Sequence, residues 1–190
     1  MTKQLFDTPK FYYGFPVFIL GYKDEQFGYN ITTCSSSYSL GDMVVVGMFQ
    51  GSNAVEQIAK YGEFTLNIPS LEQAYMMEKA GFLHKREKLR LLDVEVIPAE
   101  RIDAPILDAC PITLECRVKQ VHTFDSYTNF TARILRRTAD ETLLDEKGNF
   151  KSLEFDPLIY MGDGRERIYR YLEKGSSVKL GSFIKKGRNE

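Results

Sequence analysis

The chain has 190 residues, 43% hydrophobic and 27% charged, with a formal net charge of −1. That length suits one medium domain able to bury a sizeable core, and the balance is ordinary for a globular chain. The near-zero charge gives no reason to expect a nucleic-acid or polyanion surface, and no run reaches membrane-spanning length.

The opening Met1-Thr-Lys-Gln-Leu-Phe-Asp7 lacks the apolar core of a secretory signal. Strand-like runs over Phe15 to Tyr22 and Phe27 to Cys34 flank Lys23-Asp-Glu-Gln26, a polar turn of hairpin length. Small hydroxyl residues follow over 32–39, and then Met43-Val-Val-Val-Gly-Met-Phe49 reads as a strand buried on both faces. Asn53 with Glu56 predicts a capping box and a helix with Val55, Ile58 and Ala59 on its apolar stripe, stopped by Gly62. Phe64 to Ile68 is the next strand. Ser70 and Gln73 form a second capping box before a helix that Gly81 stops. Residues 82–106 give no clear periodicity, with Pro98 and Pro105 as breakers.

The clearest alternation follows. Ile112, Leu114, Cys116 and Val118 alternate with Thr113, Glu115, Arg117 and Lys119, the pattern of a sheet with one wet face. Thr128 to Arg137 is its antiparallel partner, and Leu158 to Met161 and Ile168 to Leu172 are short strands. Helices that interrupt strands rather than alternate with them favour a closed or split antiparallel barrel over a doubly wound sheet. No repeat or linker divides residues 1–190, which are read as a single domain.

Cys34, Cys110 and Cys116 form no CxxC and read as small buried hydrophobes in a reduced, cytoplasmic setting. His84 and His122 stand in no metal-ligand spacing, so no metal site is assigned, and no GxSxG elbow, Rossmann fingerprint or GxxxxGK[ST] loop occurs. Demanding chemistry would then fall to an organic cofactor. Phosphate-binding ingredients do recur. They are the hydroxyls over 32–39, Ser52 and Asn53 at a helix start, and Lys88 with Lys85 and Arg86 nearby. Each has a plainer reading: a turn for 32–39, capping alone for Ser52 and Asn53, and a solvated side chain for Lys88 and for the clusters at 85–90 and 185–188.

Pro16-Val-Phe-Ile-Leu20, Asn30-Ile-Thr-Thr-Cys-Ser-Ser-Ser-Tyr-Ser-Leu40, Val44-Val-Val-Gly-Met48, Ser52-Asn53 and Gly62-Glu-Phe-Thr-Leu-Asn-Ile-Pro69 resemble, in order and spacing, the flavin-reductase-like proteins. Lys88-Leu89, Leu114-Glu-Cys116, Asp156-Pro-Leu-Ile-Tyr160 and Leu180-Gly-Ser-Phe183 continue the likeness over about 12–184, within the flavoredoxin branch. The resemblance implies a mainly β, FMN-binding split β-barrel, antiparallel and of Greek-key type. It implies FMN as cofactor, NAD(P)H as a candidate donor, and a homodimer working with a small-molecule or protein redox partner.

By position, Asn30, Ile31, Thr32, Thr33, Cys34, Ser35 and Ser36 would line the isoalloxazine. Ser52, Asn53 and Lys88 would serve the ribityl-phosphate end, and His122, Asn129 and Tyr160 are further candidates for flavin or substrate contacts. The chemistry would sit at flavin N5, so no catalytic side chain is assigned. Three departures stand out: Asp125-Ser-Tyr-Thr-Asn129 where many relatives carry Gly-Asp-His, Ser36 where an aromatic is common, and Gly41-Asp42 in place of paired prolines. The implied function is a flavin reductase or flavoredoxin-like oxidoreductase. The alternatives are an FMN-binding electron carrier without its own NAD(P)H turnover and a flavin-free split-barrel binding protein.

Overall fold

The computed structural model describes residues 2–172, 175–180 and 182–183; Gly181 of the C-terminal motif and the 185–188 cluster lie outside the described residues. Seven antiparallel strands form the main sheet: β2 (Phe18–Asp24), β3 (Gly28–Cys34), β4 (Ser37–Leu40), β5 (Met43–Phe49), β6 (Glu63–Ile68), β9 (Ile112–Phe124) and β10 (Tyr127–Ala139), in the order β3-β2-β6-β9-β10-β5-β4. A three-stranded sheet holds β1 (Phe11–Pro16), β11 (Ile159–Asp163) and β12 (Arg167–Arg170), and β7 (Val96–Pro98) pairs with β8 (Pro105–Leu107). The helices are α1 (Asn53–Tyr61), α2 (Ala74–Phe82) and the single turn α3 (Lys88–Leu91).

The edge strands β3 and β4 are neighbours in sequence, joined only by Ser35 and Ser36. Three Cα–Cα steps span at most about 11 Å, whereas a flat seven-stranded sheet would set its edges roughly 29 Å apart. The sheet therefore curls until its edges approach, and no ladder joins β3 to β4 among the described residues. Ala54, Val55 and Ile58 of α1 enter the core made by Phe18, Leu20, Tyr22, Val44, Val46 and Phe130, so the helix plugs the curled sheet. A second core holds Val17, Ile19, Ile31, Met77, Ala80 and Leu107, where α2 packs on the outer face. The unbroken apolar run at 17–20 thus has a period-two logic: alternate side chains serve two different cores.

The strand expected over Phe15 to Tyr22 is two strands. Pro16 has no N–H to give, and Val17 N–H bonds Leu158 O at 2.9 Å, so the chain changes sheets there. The hydroxyl cluster is only partly a turn, because Ser37 to Leu40 pair with β5 through a tight turn at Gly41, whose φ is 58°. Nor is one face of β9 wet throughout. Thr113 and Glu115 are buried beneath the segment leading into β8. Thr113 donates to Asn67 Oδ1 at 3.0 Å, and Glu115 accepts from Arg101 N–H at 2.7 Å and from Arg136 at 3.1 Å. Gly21 admits this cover: a Cβ there would stand 2.3 Å from Pro105 O.

The first capping box does not form, because the helix begins one residue earlier than expected and its N3 position is Val55, which has no side-chain acceptor to offer the N-cap N–H. Ser52 is the N-cap and its hydroxyl accepts from Val55 N–H at 3.3 Å, while Gly62 ends the helix at φ 72° as expected. The Ser70–Gln73 box is present and opens a 3-10 turn leading into α2, which runs through Gly81 to Phe82.

Candidate functional site

Two adjoining clefts, each of about 260 Å³, lie along β3 where the end of α2 and the following loop pass over it. One contains Asn30, Thr32, Ser52, Asn53 and Lys88, together with His84 and Lys85. The other contains Thr33, Cys34, Ser35 and Tyr160, together with Tyr12, Arg167 and Tyr169. The boundary falls between consecutive residues on both sides, Thr32 and Thr33 below, Phe82 and Leu83 above.

In the first cleft Lys88 is only 6% exposed, which overturns its reading as a solvated side chain. Asn30 fixes the segment: its Oδ1 accepts from Lys88 N–H at 3.2 Å and its Nδ2 donates to Arg86 O at 2.9 Å. Lys88 Nζ donates to Ala80 O at 2.6 Å, near the end of α2 where backbone carbonyls lack helical partners. Burial pulls the Lys88 ammonium down to about 8, with the nearby Cys34 opposing that shift. Asn53, freed from capping, donates to Asp24 Oδ2 at 2.7 Å, and Asp24 also accepts from Gln26 and Phe27 N–H. Asp24 thus orients Asn53 from behind, and no Asp or Glu lines the cleft itself.

The first turn of α1 adds backbone N–H groups and the positive end of its dipole. Two lysines, a histidine, hydroxyls and a helix start without a lining carboxylate suit a phosphate or similar anion. The sequence expectation for Ser52, Asn53 and Lys88 placed these three together, and the structure brings them together.

The second cleft is aromatic. Tyr12 and Tyr160 meet edge to face at 4.9 Å between centroids, and Tyr160 and Tyr169 lie 5.7 Å apart. Burial pushes the Cys34 thiol up to about 12, so it is a neutral packing group rather than a thiolate nucleophile. Thr33 is tied to α2 by donating to Met77 O at 2.5 Å. Ile31 has no exposed side chain and belongs to the second core, so only its backbone can face a ligand.

Ser36, Asn129 and His122 line neither cleft. They share a third place: Asn129 stands opposite both His122 and Gly47, and Gly47 N–H donates to Ser36 O at 2.9 Å. His122 is exposed on the far half of β9. Sequence reasoning missed Tyr12, Phe82, Arg167 and Tyr169, which come from segments some 70 to 160 residues apart and carry no local motif. Lys85 was already read as a cation near Lys88, and His84 stands beside it just past the end of α2.

A family model described as the flavin reductase like domain matches residues 12–169. Flavoredoxin of Desulfovibrio vulgaris (Miyazaki F) superposes with a TM-score of 0.83 at 22% identity, over 96% of this chain and 100% of that one. An FMN-binding protein from Thermus thermophilus, solved with bound 1-cyclohex-2-enone, gives a TM-score of 0.76 at 20% identity, over 94% and 99% of the two chains. The uncharacterised protein YdfE of Bacillus subtilis is 25% identical over 179 residues, covering 82% of this chain and 86% of its own. With more than half its length matched by the family model, the chain belongs to the flavin reductase-like family, and its fold is that of the flavoredoxin branch.

Proposed function

We propose that the chain is an FMN-dependent oxidoreductase that takes electrons from NAD(P)H or a redox partner and passes them, through bound FMN, to a small molecule or a protein. The observation that carries this reading is the carboxylate-free cleft of Lys88, Lys85, His84 and Ser52 at the start of α1, set in a flavin-reductase-like fold. The Thermus relative is an FMN-binding protein. When bound, FMN supplies the one- and two-electron chemistry that no side chain here can.

The protein's own part is to hold and orient. The Lys88 ammonium would neutralise the phosphate, with the Ser52 hydroxyl and the first N–H groups of α1 donating to it. Asn53, steadied by Asp24, and Thr32 offer donors to the ribityl chain. Thr33 to Ser35 would run beside the ring, with Tyr160 on the far wall. No general base is required, which agrees with a neutral Cys34.

A homodimer fits the same reading. Val121, Phe124 and Tyr127 of the β9–β10 arm and Phe49 beside it are exposed apolar groups close to His122, Asn129 and Ser36. A second copy covering them would bring those three residues toward a shared site. Free Cys34, Cys110 and Cys116 support a reducing, cytoplasmic setting, and no described helix is long and apolar enough to cross a membrane.

The test is a visible spectrum of fresh protein, titration with FMN, then anaerobic mixing with NADH or NADPH. Flavin absorbance, uptake of FMN and bleaching by a nicotinamide are expected. No uptake refutes the flavoprotein reading. Uptake without bleaching leaves the electron carrier, a reading favoured by Asp125-Ser-Tyr-Thr-Asn129, the loop at which the resemblance departs from Gly-Asp-His.

A further inference from the structure

A wider groove of about 600 Å³ lies outside both clefts, between the start of α2, the end of β10 and the segment leading into β11. Leu71, Tyr171 and Leu172 line it, and each is more than half exposed. Four carboxylates, Glu72, Asp140, Glu154 and Asp156, line it as well, with no lysine, arginine or histidine among them. None of the four makes an ion pair among the described residues. Arg170 lines an adjoining hollow and not this one. The fold thus gathers like charges from three separate segments around exposed apolar groups, which costs stability through self-repulsion.

The groove lies beside the cleft assigned to the flavin ring. Gln73 lines the groove and Gly81 lines the cleft, about 12 Å apart along α2. Tyr169 lines the cleft and Tyr171 the groove, at most about 7 Å apart along the chain.

We propose that this groove docks a small protein redox partner through a cationic face with an apolar centre, which exchanges electrons with the flavin of the neighbouring cleft. The inference rests on the function proposed above and names the partner's chemistry and its seat. Transient redox encounters use small, charge-steered contacts, and carboxylates around exposed apolar groups match a surface ringed by lysines. The same carboxylates repel nucleic acid and anionic lipid, which leaves a basic protein as the occupant.

The test uses cytochrome c, a small basic haem protein, as the probe for the FMN-loaded full chain at low and high salt. Calorimetry reads binding, and anaerobic stopped-flow reads electron transfer from the reduced chain. One two-electron-reduced flavin, FMNH2, gives one electron to each of two ferric haems in turn, and its two protons pass to solvent. Cytochrome c is expected to bind, with an affinity and a rate that fall as salt rises. The double variant Glu72→Gln, Glu154→Gln lowers both by about tenfold, the span of two rim charges. Leu71→Ser weakens binding by a smaller factor. The double variant Asp93→Asn, Glu166→Gln removes two exposed carboxylates outside the groove and changes neither. Reduction of benzoquinone, a neutral oxidant that needs no docking, runs at the wild-type rate in every variant.

No binding of cytochrome c, or equal losses in the two carboxylate pairs, overturns the proposal. So does a benzoquinone rate that falls as far as the cytochrome rate, since the substitutions would then act on the flavin site. Where cytochrome c fails to bind, a peptide of residues 176–190 that binds gives the groove to the chain's own tail. Self-association lost in Leu71→Ser gives it to a second copy. A chain that takes up no FMN overturns the function proposed above, and its calorimetry with cytochrome c still decides the docking surface by the same variants.

Discussion

Replacing Lys88 with methionine keeps the length of the unbranched stem and removes the ammonium, and the structure assigns opposite signs to the two consequences. Burial lowers the ammonium from 10.5 to about 8, so the charge opposes folding by an amount on the order of 3 kcal/mol below that pH. Because the folded value lies below the unfolded one, this cost is present below pH 8. It is relieved as pH rises from 8 toward 10.5. Lys88→Met removes the cost but leaves Ala80 O without its donor, a loss of about 1–3 kcal/mol. The FMN-free variant is therefore expected at stability parity or up to about 2 kcal/mol more stable at pH 7, by urea or thermal unfolding.

Binding moves the other way. At pH 7 about nine in ten Lys88 side chains are charged, and losing one charge-assisted contact to phosphate costs about 1.5–3 kcal/mol, or roughly 10- to 150-fold in FMN affinity. Riboflavin, which lacks the phosphate, should bind both proteins alike, and the variant's FMN affinity should depend less on salt. A variant that is strongly destabilised yet binds FMN with wild-type affinity refutes the reasoning. Lys88 would then be a cap for α2 and nothing more.

The same group sets a pH profile. A bound phosphate favours the ammonium, so binding takes up a proton above pH 8 and FMN affinity falls by up to about tenfold per pH unit there, while Lys88→Met is flat in fluorescence titrations. Ser52→Ala removes both the cap of α1 and a donor to the cleft, and should cost about 1 kcal/mol in thermal unfolding along with a several-fold loss of FMN affinity. Arg136→Met strands the buried Glu115 and should cost about 3–5 kcal/mol, most of it recovered when Glu115→Gln is added, as a double-mutant cycle in urea would read. Gly21→Ala drives a methyl into Pro105 O and should cost about 1–3 kcal/mol while leaving the sheet order intact by circular dichroism.

Period and punctuation carried most of the strands, because each apolar run had to serve a particular core. The run at 17–20 is read correctly as strand from composition alone, yet its division at Pro16 depends on Leu158, which no local window contains. Thr113 and Glu115 look solvent-facing for the same reason: what covers them arrives from residues 99–107, a stretch with no period of its own. Lys88 is the sharper case. A lysine amid charged neighbours has every local mark of a surface residue, and it turns inward because Asn30, 58 residues away, holds its backbone while Ala80 O takes its ammonium.

The candidate anion cleft was more legible in the sequence than the aromatic wall of its neighbour, of which Tyr160 alone was named. Ser52, Asn53 and Lys88 each carry a type-specific mark, a cap or a cation, that survives without knowledge of neighbours. Tyr12 and Tyr169 are strand aromatics like many others in the chain, and they join Tyr160 in a common wall only once β1 pairs with β11 and β11 with β12. A residue that binds by charge or by cap can be suspected from its own chemistry, whereas one that binds by joining a surface is visible only after the strands have been paired.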